Sequence, residues 1–71
     1  MNNLQLFFQE VESRFSRLRD CENRIERNLD AQYIDGMIYG AMLAGLISAD
    51  QRKSLSNQVV VCQLAPLGAD T

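Results

Sequence analysis

The sequence predicts an all-α chain of three helices that assembles as a dimeric helical bundle. Three observations lead there. A long stripe of apolar residues at helical spacing lies near the N-terminus, and a second segment that is apolar nearly all round follows it. A turn-and-cap signature then separates that segment from a third. With 71 residues the chain makes at most one domain, expected over residues 1–65, with residues 66–71 as a flexible C-terminal tail. So short a chain buries little apolar surface and commonly relies on disulfides, a metal or a partner.

The first helix is expected over residues 3–28. At 100° per residue, Leu4, Phe8, Val11, Phe15, Leu18, Ile25 and Leu29 share a stripe roughly 100° wide, with Phe7 on its edge and no Gly or Pro inside. Glu10 precedes Arg14, and Asp20 precedes Arg24, at the four-residue spacing that supports a helix. Leu4, Val11, Leu18 and Ile25 recur every seven residues, but Arg14 and Asn28 fall where the alternate seam positions need apolar groups. That suits a globular bundle or multi-helix dimer better than a two-stranded zipper. Glu22 projects from the centre of the stripe. Either the helix bends or leaves the core there, or Glu22 makes a polar contact that faces a partner.

The second helix is expected from Asp30, a good N-cap, to about Ala44. Met37, Ile38, Ala41, Met42 and Leu43 surround most of it, leaving Gln32 and Asp35 as its polar interruptions. One long helix cannot cover such an element, so a second protomer is the natural cover. Gly36, Gly40 and Ala44, four apart, form a groove of small residues that admits a close helix approach. Phe8, Phe15, Gly36, Met37, Gly40, Ala41 and Ala44 are accordingly the expected packing or dimer interface.

Gly45 is placed as a helix-terminating glycine, with Leu46 and Ile47 as the apolar contacts beyond it. Ser48 is placed as the next N-cap, with Gln51 completing a capping box. The third helix therefore starts at Ala49 and carries Leu55 and Val59 inward. Its end, the β-branched run from Val59 to Val61, fits either a last helical turn or an extended segment. The expected core is Val11, Phe15, Leu18, Ile25, Ile34, Ile38, Ala41, Leu46, Ile47 and Leu55.

Catalytic constellations lack parts. No histidine is present, which removes the usual base of nucleophilic triads and leaves Cys21 and Cys62 as the only soft metal ligands. No enzyme activity, cofactor or metal is expected. The N-terminus lacks the basic region of a secretory signal, and the uncharged residues 36–49 fall short of the roughly 20 residues that span a membrane. The expected location is the cytoplasm, with both cysteines reduced and buried.

A net charge of −2 argues against broad nucleic-acid attachment. The remaining function is protein association: a small non-catalytic interaction module, of inhibitor or adaptor type, acting as a homodimer. Arg17, Arg24 and Arg27, opposite the apolar stripe, together with Glu22, are its candidate contacts to a partner. One alternative is a helix-turn-helix-like DNA-binding regulator using residues 48–57, in which Gln51, Arg52, Lys53 and Asn57 contact nucleic acid. Another is a structural subunit of a larger assembly.

Overall fold

A computed structural model describes residues 2–66, in which three helices follow one another: α1 (Asn3–Asp20), α2 (Arg24–Leu43) and α3 (Ala49–Gln63). Of the expected tail, Pro66 is exposed and outside any helix, and residues 67–71 lie outside the described residues. Every pair of helices is in contact, so the core is a triangular prism of side chains, not a two-layer sandwich.

α1 starts on a reciprocal cap that the sequence reading passed over. The Gln5 amide donates to Asn2 Oδ1 at 2.8 Å, and the Asn2 amide donates to Gln5 Oε1 at 3.2 Å. The helix does not run on to residue 28. It stops at Asp20, and Cys21 and Asn23 are extended (φ/ψ −72/119 and −88/116). The cause is local and tertiary together. Asn23 Oδ1 accepts from the Glu26 amide at 3.0 Å, which begins a new helix without a glycine or proline. The three-residue link then folds α2 back along α1. Glu22 falls in this link and is exposed, so the helix leaves the core where that carboxylate would have been buried.

α2 therefore begins at Arg24, and Asp30 is an interior residue of it, not its cap. The break also rotates the helix. Ile25, expected in the core, is 73 % exposed, and Leu29 is 60 % exposed. The inward positions are Arg27, Ala31, Ile34, Ile38 and Ala41, spaced alternately four and three residues apart.

Between α2 and α3 the sequence signature forms as expected. Gly45 has φ +79°, a left-handed conformation. Its amide donates to Met42 O at 3.0 Å, and the Leu46 amide donates to Ala41 O at 2.9 Å, the paired bonds of a Schellman stop. Ser48 and Gln51 exchange bonds of 3.1 and 2.8 Å, which start α3. α3 remains helical through Gln63, so the valine run is helical and not extended. It lies alongside α2, antiparallel. Ser56 Oγ donates to Asp35 Oδ1 at 2.8 Å, and Gln63 Nε2 donates to Asn28 Oδ1 at 2.9 Å, contacts seven residues apart on both helices.

Val11, Phe15 and Leu18 from α1, Ile34 and Ile38 from α2, and Ile47, Leu55, Val59 and Cys62 fill the interior. Leu46, expected among them, is half-buried against that cluster. The largest fully buried side chain is a cation: Arg27 is 1 % exposed. Its Nε and Nη2 donate to Cys21 O at 3.0 and 2.7 Å, and Nη2 also reaches Arg19 O at 2.8 Å. Its Nη1 donates to Gln63 O and Ala65 O. All four acceptors belong to the C-terminal ends of α1 and α3, where helical carbonyls have no intrahelical partner.

Each of those ends carries a partial charge of about −0.5, so two of them supply close to one compensating negative charge. The planar guanidinium fork suits four converging carbonyls, and a lysine ammonium does not. Arg27→Lys is expected to lower unfolding free energy by about 2 kcal/mol, and Arg27→Ala by about 3 kcal/mol or more. The exposed control Arg24→Ala should stay within about 0.5 kcal/mol of the parent. Urea unfolding followed by helical circular dichroism measures all three. Gly45→Ala, forced into a left-handed conformation, should lose about 1 kcal/mol in the same assay.

Candidate association surface

Because α2 packs against both other helices through one side, its opposite side is left uncovered by the described residues. Ile25, Leu29, Gln32, Gly36, Tyr39 and Leu43 are all exposed there, spaced alternately four and three residues apart. This is the same rhythm as the inward face, displaced to the far side of the helix. Gln32 is the only polar member, and none is charged. The seam runs the length of a 20-residue helix, roughly 30 Å.

The middle of the seam is low. A Cβ built on Gly36 or Gly40 meets nothing within 4 Å, so neither glycine is needed for packing among the described residues. Aromatic rings stand on either side. Tyr33 lies toward α1, where the Arg14 guanidinium sits 4.6 Å from its ring centre and also holds Glu10 at 2.8 Å. Tyr39 lies toward α3. Between α2 and α3 a shallow groove of about 240 Å³ is lined by Gln32, Asp35, Asn57, Val60 and Gln63, among others. Val60, Val61 and Leu64 add exposed apolar surface at the C-terminal end of α3.

The expected interface residues divide into two groups. Phe15 and Ala41 are buried in the chain's own core, and Phe8 and Met37 are half-buried against it. Gly36, Gly40 and Ala44 are exposed. The sequence reading missed Ile25 and Leu29 as surface groups, because the assumed continuous first helix placed them inside. The signal for the break was present in Asn23 followed three residues later by Glu26, a cap and an acid in the first turn.

The candidate partner-binding cations are corrected in one respect. Arg17 and Arg24 are exposed, but Arg27 is the buried clamp described above, and its guanidinium faces carbonyls, not solvent. Of the residues weighed for nucleic acid, Gln51, Lys53 and Asn57 are exposed and Arg52 is half-buried. At 100° per residue Lys53 and Asn57 share one face of α3, while Gln51 and Arg52 each project about 100° or more away from it. The lengthwise antiparallel packing of α2 and α3 also differs from the roughly 90–120° crossing of a helix-turn-helix.

Cys62 is buried, whereas Cys21, also expected to be buried, is partly exposed, and both are free thiols. Among the described residues no cluster of His, Cys, Asp or Glu is arranged to hold a metal ion, and no helix is long and apolar enough to cross a membrane. Compared with protein-family models, curated proteins and solved structures, the chain shows no significant match.

The open space at the glycines has a measurable consequence. Gly40→Ala should stabilise the isolated chain by up to about 1 kcal/mol through helix propensity alone. The check is urea unfolding at dilutions where the midpoint no longer depends on concentration. A lowered midpoint there would place Gly40 in a packed contact within the chain.

Proposed function

We propose that this protein is a small non-catalytic interaction module, of inhibitor or adaptor type, that works as a homodimer and acts by binding another protein. The observation that carries this reading is the apolar outward face of α2. A fold of this size gains from covering surface, yet five large apolar or aromatic side chains (Ile25, Leu29, Tyr33, Tyr39 and Leu43) stand at least half exposed along one helix. A contiguous apolar patch of several hundred Å² is the usual mark of an association site. Its composition, with two tyrosines and aliphatic groups and no charge in the seam, matches the centre of a protein interface.

The test separates association from folding. Leu29 and Leu43 make no contribution to the core, so Leu29→Asp with Leu43→Asp should preserve the helical spectrum while introducing charge into the face. Tagged parent and variant would be used to capture proteins from lysate of the source cells, after nuclease treatment. The expected outcome is that the parent retains a stoichiometric protein partner, untagged copies of this chain included, which the folded variant loses. Recovery of the same set of proteins by both would contradict the assignment of this face.

A further inference from the structure

The outward seam of α2 has an order that points to its occupant. Taken about Ile34 as midpoint, its six members pair as Ile25 with Leu43, Leu29 with Tyr39, and Gln32 with Gly36. Such a sequence complements its own reverse: aliphatic meets aliphatic at the ends, and a leucine meets an aromatic ring further in. At the centre the long polar side chain meets the one position with no side chain. In an antiparallel pair of helices, these are the residues that come opposite one another across a two-fold axis.

We propose that a second copy of this chain covers the face, with the two α2 helices antiparallel and the two-fold axis passing level with Ile34. This rests on the reading of the α2 face as an association surface and specifies what lies on it. The seam side chains Ile25, Leu29, Tyr39 and Leu43 are each at least half exposed and together offer on the order of 500 Å² per protomer, a large part of the ~800 Å² each partner contributes to a standard stable interface. Exposed Val60 and Leu64 at the end of α3 add to it.

Gly36, open above its Cα, lets the partner's backbone come close and leaves space for the partner's Gln32 side chain. The two Gln32 Cα atoms then lie about 6 Å apart along the helix direction. They are the polar pair in an otherwise apolar seam, the kind of element that selects one register. Asp35, the carboxylate nearest the midpoint, is drawn toward α3, where its Oδ1 accepts from Ser56 Oγ at 2.8 Å.

The experiment combines mass with cross-linking. Sedimentation equilibrium of the parent at micromolar concentrations should give twice the 8.0 kDa chain mass. For cross-linking, Cys21→Ser removes the partly exposed thiol, and Ile25→Cys and Leu43→Cys are made separately on that background. Under mild oxidation each variant alone should stay uncross-linked, since its thiols are on the order of 27 Å apart across the axis. An equimolar mixture should give a covalent heterodimer. Cross-linking of each variant with itself would indicate a parallel pair and overturn the proposed register, while leaving the α2 face as the association surface. A parent chain that sediments at 8.0 kDa overturns the second copy. If Leu29→Asp with Leu43→Asp also leaves the captured proteins unchanged, the association reading fails with it. Since both cysteine changes trim the seam, the double mass and its loss in Leu29→Asp are read on chains with no new thiol.

Discussion

The buried guanidinium of Arg27 is the constraint on which the rest of the arrangement depends. It lies in the first turn of α2, yet every group it touches belongs to the closing turns of the other helices: Arg19 and Cys21 carbonyls on one side, Gln63 and Ala65 on the other. Helix C-termini are awkward to bury because their last carbonyls lack partners, and a buried cation is awkward because it lacks counter-charge. Here each need answers the other. The consequence is positional. One end of the bundle is closed by a polar lock, and α2 is held between the two ends it joins.

Once α2 is held there, its apolar excess has a direction. Ala31, Ile34, Ile38 and Ala41 follow Arg27 along the inward side at spacings of three and four residues, and they are consumed by the core. The seam of Ile25, Leu29, Gly36, Tyr39 and Leu43 follows the same rhythm about half a turn away, and it is left outside. α1 presents the opposite case. Its inward Val11, Phe15 and Leu18 are backed by Gln9, Ser13, Ser16 and Arg17, an ordinary wet face. Among the described residues α2 thus carries two apolar faces, one packed into the core and one exposed along the helix.

Helix type and the second turn were legible in the sequence because local chemistry decides them. Gly45, Ser48 and Gln51 act within a few residues of one another, and the Schellman stop and capping box formed where the pattern placed them. The first break was hidden because periodicity carried straight through it. Ile25 and Leu29 continue the stripe of Leu4 to Leu18 on paper, and no Gly or Pro marks residues 21–23. What ends α1 is a modest cap at Asn23 reinforced by contacts made 36 and 38 residues later, between Arg27 and the end of α3. No local window contains that pairing. Missing it misplaced Arg27 on the solvated face and Ile25 in the core, and so concealed the outward seam even though the abundance of apolar residues on the second helix was plain.

The two-faced character of α2 is tested most directly by solvent exposure of its methyl groups. In methyl NMR with a soluble paramagnetic agent, Ile34 and Ile38 should remain sharp at every protein concentration. The methyls of Ile25, Leu29 and Leu43 should broaden strongly in dilute protein and recover as concentration rises and the face is covered. Methyls of Ile25, Leu29 and Leu43 that stay equally broadened across the whole range would contradict an associating face. Protection of these methyls even at the highest dilution would contradict the rotation of α2 that puts them outside.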